Sequence, residues 1–188
     1  MDSEPWHTES AVASRSGVRI RPYRDDDVSP LYEAVQGSIK ALSAWLVWAQ
    51  GGYTRSDAEA WVASRAQAWA TGDAYSFVVE GAADGRFLGG VGLNQVHDAP
   101  PMANLGYWVR TDATGNGIAT TAARLAARFG FEGLGLQRIE ITVPIGHRAS
   151  ARVAEKLGAR REGVLRHRLR LHGTPAGAVL FGLLPSDP

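Results

Sequence analysis

The sequence predicts an α/β fold with a mixed sheet, and three observations support this prediction. Segments of strand-type residues alternate with segments of helical period along the chain. In residues 106–122, beta-type residues run into Gly115 and Gly117 and an apolar stripe of helical period follows at once, which indicates a strand, a tight turn and a helix. No internal repeat or linker divides the 188 residues, so we predict a single domain over residues 17–185.

The composition excludes several classes of protein. A formal net charge of +1 gives no strong attraction to nucleic acid or to acidic membranes. The chain has no cysteine, and its five histidines lack the spacing of metal ligands. No apolar run approaches the roughly 18 residues of a membrane span, and the first residues lack the pattern of a signal peptide. We therefore expect a cytoplasmic protein with no metal, no membrane partner and no direct nucleic-acid partner.

The N-terminal third is predicted to contain one strand and one helix before an irregular segment. Residues 1–16 are polar without periodicity, which is typical of a flexible tail. Residues 18–22 alternate as in a strand, and the acidic run that begins at Asp25 favours the start of a helix. Residues 38–53 form a short, irregularly apolar run.

A second helix is predicted over residues 56–72. Ser56 and Glu59 have the spacing of a capping box, and Gly72 is suited to end the helix. Trp61 and Trp69 lie on this helix, and core packing is the commoner role of such residues. We predict both as core residues.

Two antiparallel strands are predicted to follow, over residues 75–80 and 86–96. The second strand contains Gly89, Gly90 and Gly92, which is an unusual density of glycine for a strand interior. It predicts that another group packs very close to this backbone.

The remaining elements complete the predicted sheet and its helices. Their apolar periods and their glycine breaks set the boundaries. In chain order they are a loop over 97–101, a strand over 103–110, a helix from Ile118 that is broken at 133–135, a strand over 138–143, a helix over 149–157 closed by Gly158, and a hairpin of residues 161–171 and 176–184.

The G-x-G turn is a candidate anion site. The start of a helix presents unpaired N–H groups and a partial positive charge, and glycine lets a phosphate approach the backbone closely. By itself the pair Gly115 and Gly117 is also compatible with a simple turn and helix cap, and for an isolated pair of glycines that is the commoner case. The pattern therefore needs support from the rest of the chain.

That support comes from two downstream stretches, Leu-Gln-Arg-Ile-Glu-Ile-Thr-Val at 136–143 and the segment 147–158 that begins His-Arg-Ala-Ser. With them, residues 18–184 resemble the GCN5-related N-acetyltransferases. The resemblance is strongest to the RimJ/RimL-like branch, which acetylates the N-termini of ribosomal proteins. It implies a mixed, mostly antiparallel sheet, flanked by helices and splayed between its fourth and fifth predicted strands, 103–110 and 138–143. Acetyl-CoA is implied to lie in that gap.

The resemblance also implies which residues bind acetyl-CoA. Asn116 stands where relatives often carry Arg or Lys, so few side-chain cations are expected at the phosphates. The implied phosphate site is the backbone of Gly115, Asn116, Gly117, Ile118, Ala119 and Thr120; Trp108, Val109 and Arg110 line the pantetheine arm, and His147 and Ser150 lie near the sulfur.

The implied catalytic groups are Ser150 and Asn104. Ser150 is a candidate proton donor to the leaving thiolate, although a serine at the start of a helix is also a common cap. Asn104 stands where many relatives carry a carboxylate, and it would orient a water or the incoming amine. The candidate bases are His97, Asp98 and Glu140. The acceptor pocket is implied to involve Trp45, Trp48 and His97.

The reaction that this resemblance implies is acetyl transfer to a primary amine by direct attack in a ternary complex. An α-amine, with a pKa of about 7.7–8.0, suits a weak base better than a lysine at about 10.4. We therefore expect a protein or peptide N-terminus as the acceptor. A small-molecule amine such as an antibiotic or metabolite, or a non-catalytic acyl-CoA-binding module, remain alternatives. A monomer or a homodimer is expected.

Overall fold

The computed structural model describes residues 13–187, and these contain one eight-stranded sheet. The strands are β1 (Ala13–Arg15), β2 (Val18–Pro22), β3 (Ala74–Gly81), β4 (Phe87–Asp98), β5 (Pro101–Val109), β6 (Arg138–Pro144), β7 (Arg160–Leu171) and β8 (Thr174–Leu183). Their spatial order is β1-β2-β3-β4-β5-β6-β8-β7. Only β5 and β6 pair in parallel, so the predicted mixed, mostly antiparallel sheet is confirmed.

Helices cover both faces of this sheet. They are α1 (Val28–Gln36), α2 (Ile39–Ser43), α3 (Arg55–Thr71), α4 (Ile118–Arg128) and α5 (Arg148–Lys156). Alternate residues of β3 point to opposite faces. Phe77 and Val79 pack in the cluster that contains α4 and α5, whereas Val78 packs in the cluster of α1 and α2. None of these helices is long and apolar enough to cross a membrane.

The capping box of helix α3 lies two residues earlier than the predicted one. Thr54 is its N-cap, and the hydroxyl of Thr54 accepts a hydrogen bond from Asp57 N at 3.2 Å. The carboxylate of Asp57 accepts one from Thr54 N at 2.7 Å. The pair Ser56 and Glu59 is therefore the wrong capping box. The predicted end at Gly72 is confirmed, with φ of 76° at this left-handed C-cap.

The two tryptophans of α3 have different environments. Trp69 is 9% exposed and packs on Phe77 and Phe129, as predicted for a core residue. Trp61 is 41% exposed, so its predicted place in the core is wrong. The helix buries only Ala58, Val62 and Trp69, and Trp61 lies beside this stripe.

Residues 97–101 are not the predicted loop. Strand β4 continues to Asp98 and β5 begins at Pro101, with His97 paired to Met102. A register shift between Asn94 and His97, with φ of 51° at Gln95, lets the pairing resume beyond the bulge. The predicted close packing on the glycines of β4 is confirmed, since a Cβ on Gly89 would lie 2.1 Å from Trp108 O.

Strands β5 and β6 separate soon after they meet. They pair at only three positions, ending with Asn104 opposite Glu140. Beyond this point β5 stays paired with β4, and β6 stays paired with β8 as far as Pro144. The two strands therefore diverge, and the predicted splay is confirmed.

The predicted tail ends earlier than Ser16. Ala13–Arg15 forms β1 and pairs with residues 18–20 of β2. The rest of the predicted tail, residues 1–12, lies outside the described residues.

Candidate active site

A cleft of about 420 Å³ opens where β5 and β6 diverge. We call it the central cleft. It is bounded by Trp45 after α2, by residues 107–109 of β5, by the turn and first residues of α4 at 113–120, and by residues 149–156 of α5. Of the residues predicted for acetyl-CoA, it brings together Trp108, Val109, Gly115, Gly117, Ile118, Ala119, Thr120, His147 and Ser150.

The start of α4 faces this cleft without a side-chain cap. Gly115 and Gly117 have φ of 85° and 75°, and no atom lies within 4 Å of a Cβ built on either residue. Glycine is therefore required for the backbone conformation rather than for space. The first hydrogen bond into the helix runs from Thr121 N to Gly117 O. The N–H groups of residues 118–120 lack a helical acceptor, so they are free to bind an anion.

Two cations line the same cleft as this helix start. Arg152 and Lys156 line the central cleft, and neither forms an ion pair with the carboxylates of residues 13–187. The expectation of few cations at the phosphates considered only the G-x-G turn, and these two residues on α5 were not among the candidates. The missed signal is periodic, because Ala149, Arg152, Val153 and Lys156 share one face of α5 at helical spacing.

Tyr107 and Ser150 form a hydrogen-bonded pair across the cleft. The Tyr107 hydroxyl donates to Ser150 O at 2.9 Å and lies 3.1 Å from Ser150 Oγ. Burial raises the pKa of Tyr107 to about 12, although the hydrogen bond with Ser150 opposes this shift. Tyr107 therefore keeps its proton near neutral pH. The sequence singled out Ser150 but not its partner.

Trp45 and His147 stack on each other at the mouth of the cleft. Their ring centroids are 4.5 Å apart and their planes differ by 12°. Burial lowers the pKa of His147 below its ordinary value, so the imidazole is neutral at pH 7. Trp45 lines the central cleft, whereas Trp48 does not.

A second cavity of about 610 Å³ lies on the α1–α3 face of the sheet. We call it the aromatic cavity after its six aromatic residues, Tyr23, Trp48, Tyr53, Trp61, Tyr107 and Trp108. Leu46, Tyr107 and Trp108 also line the central cleft. The two spaces therefore meet at these three residues, which lie between the start of α4 and the aromatic cavity.

Two residues predicted for acetyl-CoA do not line the central cleft. The Arg110 side chain turns back to Asp112, with Nε 2.6 Å from Oδ1. Asn116 is exposed, and its Nδ2 lies 3.4 Å from the carbonyl oxygens of Ala113 and Thr114. Both side chains instead support the turn that leads into α4.

Asn104 and His97 line neither cavity. Asn104 Nδ2 donates to Asn94 Oδ1 at 3.1 Å, and Asn94 lines the aromatic cavity. Asn104 thus contacts the site through Asn94. His97 is exposed beyond the bulge of β4, and the structure does not bring it to the site. Of the candidate bases, Glu140 is ion-paired with Arg138 at 3.0 Å.

Comparison with known proteins identifies the family of this chain. A family model described as "Acetyltransferase (GNAT) domain" matches residues 18–160. The chain belongs to this family. A relative named putative ribosomal N-acetyltransferase YdaF, from Bacillus subtilis, is 28% identical over 90% of this chain and 92% of its own length.

Solved structures of acetyltransferases share the fold. Mycobacterium smegmatis RimJ in complex with CoA-disulfide has a TM-score of 0.83 and 27% identity, over 90% of this chain and 85% of that chain. RimL, named as a ribosomal L7/L12 α-N-protein acetyltransferase in complex with coenzyme A, has a TM-score of 0.83 and 18% identity, over 90% and 95%. The protein is an N-acetyltransferase, and acetyl-CoA is its cosubstrate. The uncapped start of α4 and the cations of α5 fit the phosphates of this cosubstrate.

Proposed function

We propose that this acetyltransferase modifies the N-terminal α-amine of a protein or peptide, by direct attack in a ternary complex. The observation that carries the proposal is the meeting of the central cleft and the aromatic cavity at Tyr107 and Trp108. Two substrates can enter from opposite sides and react where the spaces join. The names of YdaF and RimL, which refer to ribosomal proteins, support a protein acceptor. A cytoplasmic location is part of the proposal.

The central cleft is assigned to the cosubstrate. Acetyl-CoA supplies an acetyl group that is activated as a thioester. The N–H groups of residues 118–120 would bind its diphosphate, assisted by Arg152 and Lys156. Trp108 and Val109 of β5 would line its pantetheine arm. These contacts fix the acyl group at the junction of the two spaces, which lowers the entropic barrier to reaction.

Tyr107 and Ser150 are assigned to proton transfer at the leaving group. The free thiol of a cysteine side chain has a pKa of about 8.5, whereas Tyr107 has a pKa of about 12. Tyr107 is therefore a hydrogen-bond donor throughout the neutral range. Ser150 lies 3.1 Å from it, so a proton that Ser150 gives to the thiolate can be replaced from Tyr107. The incoming amine loses one proton when the amide forms, and this proton restores Tyr107.

Few side chains of the aromatic cavity could accept a proton from the incoming amine. Its ionisable lining residues are three tyrosines, the junction residue Tyr107 among them, and Asp57. The Asp57 carboxylate is committed to capping α3, and hydrogen bonds from Thr54 lower its pKa. An α-amine is partly neutral at pH 7 and needs only a weak base. Asn94, held by Asn104, would orient this amine or a water.

The test is thiol release from acetyl-CoA against matched peptides and small amines. We expect peptides with a free N-terminus to be acetylated, and the same peptides with a blocked N-terminus and an internal lysine to be inactive. Turnover of small amines alone would replace the proposal with a metabolite acetyltransferase. Binding of acetyl-CoA without turnover of any amine would make the protein a non-catalytic module.

A further inference from the structure

Two exposed tryptophans mark the aromatic cavity as a binding surface. Among the described residues, Trp48 and Trp61 are the aromatic side chains that stand out as exposed, at 44% and 41%. Both line this one cavity. Exposed aromatic side chains that gather around a cavity mark a site for an apolar group, because free rings in water carry a cost that binding removes.

Three glycines of β4 and β5, Gly90, Gly92 and Gly106, form part of the floor of this cavity. A Cβ on Gly90 would lie 2.7 Å from the indole nitrogen of Trp108, and one on Gly92 would lie 2.9 Å from Tyr75 O, so the protein itself already covers both positions. The atom nearest to a Cβ on Gly106 is Asn94 Nδ2, at 3.7 Å. A ligand can therefore approach the backbone closely at Gly106.

Aromatic rings form the walls above this floor. The ring centroids of Trp48 and Trp108 are 6.0 Å apart, and those of Trp48 and Tyr53 are 5.6 Å apart, both edge to face. Trp61 meets Tyr23 in the same way at 6.3 Å. Aromatic pairs prefer this geometry at these distances, so the rings of the walls stabilise one another's orientation.

The cavity is larger than a small acceptor needs, and its recognition is apolar. Its volume of about 610 Å³ lies within the range that encloses a drug-sized ligand. Asp57 is its charged lining residue, and the two hydrogen bonds from Thr54 hold that carboxylate at the start of α3. Arg65 covers the Trp61 ring at 3.7 Å, so a ligand cation would meet a positive charge there.

We propose that the acceptor carries a large aromatic side chain beside its reactive amine, as in a polypeptide that begins with Phe, Tyr or Trp. The ring binds over Gly106 between Trp48 and Trp61, and the amine then lies toward Tyr107 and Trp108, where the cavity meets the central cleft. This inference rests on the proposed N-terminal acetyltransferase activity and names its acceptor class.

The experiment compares kcat/KM for peptides that differ only in their first residue, Ala, Ser, Leu, Phe or Trp. We expect Phe and Trp to exceed Ala and Ser by at least about tenfold, the range that apolar pockets achieve. Trp48→Ala and Trp61→Ala each reduce this ratio. Gly106→Ala also reduces it, because its Cβ would enter the cavity with only Asn94 Nδ2 nearby, at 3.7 Å. Val47→Ala is the control, since Val47 is 56% exposed and lines neither cavity.

Two results would overturn this inference in distinguishable ways. Equal kcat/KM for all first residues, unchanged in Trp61→Ala, would leave the acetyltransferase proposal intact and remove the aromatic preference. Faster acetylation of spermidine than of every peptide, abolished by Asp57→Asn, would show that the cavity binds a cation and would overturn the peptide proposal as well.

Discussion

Three properties occur together in Tyr107. It lies on both the central cleft and the aromatic cavity, it is hydrogen-bonded to Ser150, and burial raises its pKa to about 12. Ser150 was found from the sequence because it occupies a recognisable place at the start of α5. Tyr107 was not, because its role depends on a contact between residues 43 positions apart.

At this scale we predict that Ser150→Ala lowers kcat about 10- to 100-fold, since general acid catalysis contributes on this order and Tyr107 remains in place. KM for acetyl-CoA should change much less. Steady-state thiol release at saturating peptide measures both. Ser56→Ala, an exposed serine in the first turn of α3, is the control. A change confined to KM would assign Ser150 to binding.

Helices α4 and α5 each supply part of the proposed phosphate site. The start of α4 supplies backbone N–H groups and the positive end of its dipole. The exposed turn of α5 supplies the charges of Arg152 and Lys156. Both groups can reach one ligand only if the two helices face the same space. They do so because β5 and β6 diverge between them.

We predict that the double variant Arg152→Gln, Lys156→Gln raises the Kd of coenzyme A by about tenfold at low salt, through the loss of two exposed charges. The increase should shrink at high ionic strength, because salt screens the same charges in the unaltered protein. Isothermal titration measures both. Arg148→Gln removes one charge from the same helix at a residue that lines neither cavity, so it should leave Kd unchanged. An equal effect per charge removed would point to the overall charge of the protein.

The molecule as a whole is held at its N-terminal side by a buried ionic network. Arg21 of β2 binds both oxygens of Asp27 at 2.7 Å, and its Nε binds Glu80 of β3 at 3.0 Å. Asp27 and Glu80 are each 3% exposed. This network fixes the start of α1 against the sheet, and Leu31 of α1 lines the aromatic cavity. A remote packing feature thus supports the site.

We predict that Arg21→Met lowers the free energy of unfolding by about 3–5 kcal/mol, because the buried carboxylate of Asp27 loses its guanidinium partner, whereas Glu80 keeps a hydrogen bond from Arg19 at 2.6 Å. Urea denaturation followed by tryptophan fluorescence measures this. Arg24→Met is the control, since Arg24 is exposed and its backbone N–H and carbonyl groups form its hydrogen bonds with Asp27. A loss below about 1 kcal/mol would mean that water replaces Arg21, as at an exposed ion pair.

The sequence by itself determined the elements whose cause is local. The strand, the G-x-G turn and α4 were predictable because the residues of that one stretch are enough to show them. The apolar residues recur at helical period, and Gly115 and Gly117 are the residue type that a left-handed backbone favours. The splay between residues 103–110 and 138–143 was implied by the family resemblance and not by a local pattern. Errors at the capping box of α3 and at residues 97–101 arose where a cap or a bulge competed with an equally good local pattern.

Only the tertiary structure decided which residues line the aromatic cavity, the proposed acceptor site. Trp61 became a wall of the aromatic cavity rather than a core residue because α3 buries a stripe beside it. Trp45 and Trp48, three positions apart, line different cavities because the backbone between them is extended at Leu46 and does not continue as a helix. A helical period shows which residues share a face, but the packing of several elements decides which face meets solvent, ligand or core.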